Sequence, residues 1–132
     1  MDSKEFVKAM IRQRGGREQP EWTWMAEVDP EYMKAYNRLT QSAFGLYAEG
    51  DEYPCVLPAK IKELIAIALL TGQRDWERLP VHLERAMDLG ATDREILEAL
   101  QTAMVITGGP AMRGGIEMML RIRKQRGEVK ES

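Results

Sequence analysis

Apolar and polar positions along this chain recur with a helical period rather than a strand period, and polar caps, prolines and glycines divide them into separate helices. Ser3 can cap a first amphipathic helix that runs to about Arg14 and stops at Gly15-Gly16. Pro20-Glu21-Trp22-Thr23-Trp24-Met25 reads as a short turn of helix. Asp29-Pro30 places an aspartate at a cap and a proline at the first helical position, opening a helix that extends to about Ala48, before Gly50. Leu57-Pro58 opens a helix from Ala59 to Leu70 that is apolar on nearly every face after Glu63, and a helix apolar all round is a buried one. Pro80 opens the next, which Gly90 ends, and Thr92-Asp93-Arg94-Glu95 is a capping box for a helix reaching Ile106. Gly108-Gly109-Pro110 then breaks the chain and starts a last helix to about Arg126. No run alternates well enough to be a strand, and no repeat is visible, so the pattern predicts an all-α bundle of five to seven helices.

Length and charge add limits to that picture. A chain of 132 residues is one domain's worth, 1–132, and needs no disulfide or metal staple to build a core. Its 19 basic and 21 acidic residues are interspersed, which leaves no footprint for a nucleic-acid backbone. Charges at Asp2, Lys4 and Glu5 replace the apolar run of a signal peptide, and no segment has the length of a membrane span, so a cytoplasmic location is expected, with no membrane partner. The single Cys55 excludes an internal disulfide and a Cys-x-x-Cys site. With His82 the only histidine, a zinc site is not expected.

Two residues stand out as candidate chemistry. His82 has Leu79, Ala86 and Leu89 at three, four and seven residues' distance, which puts it on the apolar face of its helix, while Glu84, Arg85 and Asp88 are expected to face water. Glu63 interrupts an apolar surface formed by Ala59, Ala66, Ile67 and Leu70. A buried carboxylate beside an imidazole can exchange a proton near neutral pH. The residues alone leave a second reading open for each: a packed histidine with a satisfied hydrogen bond, and a first-turn glutamate that reaches solvent or Lys60.

The stretch from Leu57 to Met119 carries K-E-L-I before a long apolar helix, V-x-x-x-x-A with His82-Leu83 inside it, G-A-T-x-x-E-I-x-E-A, and G-x-P-A. As an ordered set these resemble the core of the carboxymuconolactone decarboxylase and AhpD-like superfamily, over residues 57–119. The resemblance implies an AhpD-like helical fold built round a helical hairpin, assembled as homotrimers or homohexamers with pockets near subunit contacts. In the peroxidase branch a Cys-x-x-Cys pair precedes the histidine and a glutamate on the preceding helix completes a proton relay. Here His82 and Glu63 fall on the histidine and glutamate positions, but the cysteine positions hold Asp75 and Arg78. Thiol peroxidase chemistry needs an attacking and a resolving thiol, and Cys55 in its loop supplies neither.

The decarboxylase branch keeps the histidine without thiols or a cofactor, in chemistry of the kind met in aromatic-compound degradation. Loss of carbon dioxide leaves electrons that need a stabiliser and a proton donor. His82 can donate, with Glu63 setting its protonation state. A carboxylated small-molecule substrate asks for cationic anchors, for which Arg74, Arg78 and Arg113 are the nearest candidates, and Trp76 with Trp22, Trp24 and Met25 can wall an apolar pocket. Gly108 to Arg113 lacks the lysine and hydroxyl end of a phosphate loop; Gly114 and Gly115 there allow close helix contact. The expected function is therefore a cofactor-free decarboxylase, lyase or isomerase acting on a small carboxylated or cyclic metabolite. The alternative is a catalytically silent oligomeric binding or assembly protein, with an AhpD-like peroxidase third.

Overall fold

The structure, a computed structural model, describes residues 3–13, 19–44 and 55–128. Among these residues there are seven helices and no strand: α1 (Ser3–Gln13), α2 (Pro20–Val28), α3 (Pro30–Phe44), α4 (Ala59–Gly72), α5 (Leu79–Asp88), α6 (Asp93–Thr107) and α7 (Gly109–Gln125). The all-α expectation holds. The predicted stops at Arg14, Gly15 and Gly16, and the end of the third helix at Ala48 and Gly50, lie outside the described residues, as does the cap expected of the Ser3 side chain. None of the seven is long and apolar enough to cross a membrane.

The chain divides into two compact units, the first ending at Cys55 and the second beginning at Val56. In the first, Phe6 and Met10 of α1, Ala26 of α2 and Met33 of α3 form a small core. Trp22 stacks on Tyr36 with ring centroids 5.1 Å apart, and the Lys34 ammonium lies 5.8 Å from the centre of the Phe6 ring. The segment predicted as a short turn is the full helix α2, nine residues long, because Pro20 starts it and nothing breaks it before Asp29. Asp29 accepts the Tyr32 amide on Oδ1 at 3.1 Å and so caps α3, as its place before Pro30 predicts.

The second unit holds the larger core. Ile67 and Leu70 of α4, Leu79, Leu83, Ala86 and Met87 of α5, Ile96 and Leu100 of α6, and Met119 and Ile122 of α7 are all buried in it. Helix α4 packs on α5, α6 and α7 and so is the central element of this unit. The expectation that α4 is buried on every side needs correction, since Ile65 and Leu69 are 45% and 60% exposed. Its partners cover only one side of it, the one carrying Glu63, Ile67, Leu70 and Thr71. The capping box forms as predicted: the Thr92 hydroxyl accepts the Glu95 amide at 3.1 Å and Glu95 Oε1 accepts the Thr92 amide at 3.0 Å. Close helix contact at the paired glycines is also found. A Cβ on Gly115 would lie 2.4 Å from Leu100 Cδ2, and one on Gly114 would lie 2.4 Å from the Trp76 ring.

Candidate functional site

Helices α4 and α5 form a hairpin that brings Glu63 to His82, nineteen residues on. Glu63 sits one turn into α4 on the face that also carries Ile67 and Leu70, so packing that face buries the carboxylate completely. His82 sits on α5 between the buried residues Leu79 and Ala86, and its side chain is 16% exposed. The imidazole Nδ1 lies 2.7 Å from Glu63 Oε2. An ionised carboxylate only accepts, so with Glu63 ionised Nδ1 carries the hydrogen and donates it, which makes Nε2 the ring nitrogen turned away from the carboxylate. The readings of Glu63 as a residue reaching solvent or Lys60 are corrected here, because Lys60 instead pairs with Glu95 at 2.9 Å.

A third member of this cluster was missed from the sequence. The sequence puts Arg85 with Glu84 and Asp88 facing water, whereas its side chain is only 17% exposed and Nη1 lies 3.9 Å from Glu63 Oε1. The signal was present in the spacing, since residues three apart share a helix face and Arg85 is three from His82. Its charge argued for solvent, whereas a long arginine stem can lie along an apolar face and bring its head to a buried acid. Among the described residues, the buried Glu63 Oε1 has no hydrogen-bond partner. The carboxylate is thus flanked by two nitrogen-bearing side chains, with only Oε2 hydrogen-bonded, an arrangement whose cost in desolvation is usually met by function or by specificity rather than by stability.

The remaining candidates fall in two other places. Asp75 accepts the Arg78 amide on Oδ1 at 3.1 Å and the Arg78 Nε on Oδ2 at 2.5 Å, and this hydrogen bond holds the Asp75 carboxyl below its ordinary value. The two positions that match redox cysteines in the resemblance thus hold an ion pair that shapes the turn into α5. Arg74 is exposed, with a positive φ of 56° in the turn that ends α4. Trp76 and Arg113 come together in a groove of about 610 Å³ with Gly109, Pro110, Gly114, Glu117, Met118 and Arg121. His82, Glu63, Arg74 and Arg78 are not among its lining residues. Trp22 and Met25 pack in the first unit, and Trp24 is exposed. Cys55 lies with its Sγ 3.7 Å from the Ser42 carbonyl oxygen.

Comparison with known proteins agrees with this architecture. Residues 30–119 match the model of the carboxymuconolactone decarboxylase family, a longer stretch than the 57–119 that carries the motifs. The nitrosuccinic acid decarboxylase npaB of Metarhizium robertsii is 35% identical over 68 residues, which are 52% of this chain. The match spans 46% of that relative's length, so the chain covers about half of it. A crystal structure from Burkholderia xenovorans LB400, of a protein described by carboxymuconolactone decarboxylase likeness, superposes with a TM-score of 0.73 at 23% identity, covering 98% of this chain and 100% of the other. At that identity the superposition speaks for the fold. With more than half its length matched by the family model, the chain belongs to the carboxymuconolactone decarboxylase family.

Proposed function

We propose that the chain is a cofactor-free carboxy-lyase acting on a small carboxylic acid, with His82 as proton donor and Glu63 as the group that orients and charge-balances it. The observation that carries the reading is the 2.7 Å contact between His82 Nδ1 and a fully buried Glu63 carboxylate. The family, and a decarboxylase among the relatives, support the reaction type.

Decarboxylation without a cofactor needs an electron sink inside the substrate. A nitro, oxo or lactone group adjacent to the carbon that bears the carboxylate provides one. The carbon–carboxylate bond breaks, its electron pair moves into that group, carbon dioxide leaves, and a proton is delivered to the carbon. A doubly protonated His82 supplies that proton from Nε2 while Nδ1–H stays on Glu63 Oε2. The neutral ring then regains a proton from solvent, so atoms and charge balance. Proton transfer of this kind contributes about 10²–10⁴-fold to a rate.

A test follows from the proton's path. Acids carrying a 13C-labelled carboxylate beside a nitro, oxo or lactone group are incubated with the protein in D2O, and NMR should show labelled carbon dioxide and one deuterium on the carbon that lost it. No release from any activated acid, by a folded protein, contradicts the reading. The second reading, a catalytically silent binding or assembly protein, is favoured by one observation: the His82–Glu63 pair does not line the groove. In either reading we propose a homotrimer or homohexamer, supported by the exposed apolar side chains Ile65, Leu69, Val105 and Ile106 on α4 and α6.

A further inference from the structure

The groove beside α7 has a composition that the proposed carbon–carboxylate chemistry does not use. One wall is Trp76, half-buried against the second unit's core, and its ring lies so close over Gly114 that a Cβ there would come within 2.4 Å of it. The ring is therefore seated on bare backbone, a placement that only glycine permits at this approach. Met118 and Pro110 extend the apolar surface, and Met118 also packs against the core. The volume of about 610 Å³ lies within the roughly 300–1,000 Å³ of small-molecule sites.

The charged residues of the groove come from a single row. Arg113, Glu117 and Arg121 are spaced by four along α7, so they share one face, with the two arginine Cα atoms about 12 Å apart along the axis. The other arginines of α5 and α7, and Arg126 just after α7, have acidic partners: Arg85 approaches Glu63, Arg123 pairs with Asp93 and Glu128, and Arg126 with Asp88 and Glu128. Among the described residues, Arg113 and Arg121 make no ion pair or hydrogen bond. Glu117 lies between them without a formed contact to either.

We propose that this groove binds a small planar carboxylate, with Arg113 and Arg121 taking the anionic group and Trp76, Met118 and Pro110 the flat apolar body. Two cations against one carboxylate leave the groove with a net positive charge, which complements an anion. An aromatic or cyclic body stacks on the fixed indole, whereas a small aliphatic acid leaves it uncovered. Arginine suits the role because its guanidinium meets a carboxylate with paired parallel N–H donors. Glu117 competes with the ligand for the same guanidinium groups, so its sign in a binding experiment is opposite to theirs.

The inference stands apart from the proposed decarboxylation, because none of these residues belongs to the His82–Glu63–Arg85 cluster and the test requires no turnover. The 15N-labelled chain is titrated with sodium benzoate, benzamide and sodium acetate, following the indole N–H of Trp76, identified by its loss in Trp76→Phe. Benzoate should shift that signal saturably, with benzamide and acetate at least about fivefold weaker, since each lacks either the charge or the ring. Arg113→Gln and Arg121→Gln should each weaken benzoate about threefold, as expected for exposed charge pairs, and Glu117→Gln should tighten it. These side chains are exposed, so the variants keep the fold. An unmoved Trp76, equal binding of benzamide, or affinity indifferent to both arginine changes would each overturn the proposal.

Discussion

Two sets of charged side chains in the second unit show opposite solutions to the same problem. Glu63, His82 and Arg85 are withdrawn from water and held against one another, while Arg113, Glu117 and Arg121 line an open groove and make no contact with one another. A buried charge keeps its place only if its neighbours fix it, and losing one of them leaves the rest in a medium that solvates them poorly. An exposed charge is solvated whatever its neighbours do, so it adds little to stability and remains available to a ligand. The first cluster should therefore be costly to alter and the second cheap.

The largest effect is expected from breaking the buried pair. His82→Leu removes the partner of Glu63 Oε2, and Glu63→Leu removes the carboxylate on which His82 and Arg85 converge; each should cost about 3–5 kcal/mol. The double change to leucines should cost less than the sum of the single ones, because a well-packed apolar pair replaces the ionic one. Denaturant titrations of the four proteins measure this, and strictly additive losses would show that the two residues do not act as a unit.

Next in size is Gly115→Ala. Its Cβ would lie 2.4 Å from Leu100 Cδ2, and Leu100 is fully buried, so the core must shift at about 1–3 kcal/mol. Gly114→Ala meets Trp76 at the same distance, but the half-buried ring can swing into the groove. It should therefore cost less stability and disturb the groove more, which thermal melts and the Trp76 indole signal distinguish.

How much of this was legible in the sequence depended on whether a residue's own type settled its environment. The helices were, since proline, glycine and cap residues act locally: Asp29-Pro30, Pro80 and the Thr92–Glu95 box all perform as read. The Glu63–His82 contact was legible as two polar residues on apolar faces. Arg85 was not, because its charge pointed to solvent while its position beside His82 pointed inward, and only the packed partner decides such a conflict. The full burial predicted for α4 failed for a related reason: an all-apolar helix says nothing about how many neighbours it has, and Ile65 and Leu69 are left exposed. The pairing of Trp76 with Arg113 and Arg121 depends on α7 passing close to the turn after α4, a long-range fact that spacing does not carry.

A smaller effect, about 1 kcal/mol, is expected from Thr92→Ala, which removes half of the α6 capping box. Its glutamate gives a pH signature. The Glu95 carboxyl is lowered from its ordinary 4.5, first by the hydrogen bond with the Thr92 amide and then by Lys60. A carboxyl lowered on folding contributes stability that is present above that ordinary value and lost as the pH falls through the lowered one. The difference in melting temperature between the wild type and Glu95→Gln should accordingly shrink in acid, and a difference that grows there would contradict the capping role. Smallest of all, Arg113→Gln and Arg121→Gln should change stability by less than about 0.5 kcal/mol while changing carboxylate binding, in contrast to any single change in the buried cluster.

The contrast between the two clusters bears on function through His82. An asparagine at that position can place an amide N–H where Nδ1 now sits, keeping a donor for Glu63 while removing Nε2 and the ring's ability to carry a proton. The direct measurement is carbon dioxide release from an activated 13C-labelled acid by the wild type and by His82→Asn, with a thermal melt recorded on the same samples. The His82→Asn variant should melt as a folded protein and release carbon dioxide at least about 100-fold more slowly. A folded His82→Asn variant that releases it as fast as the wild type would contradict the assignment of His82 as the proton donor.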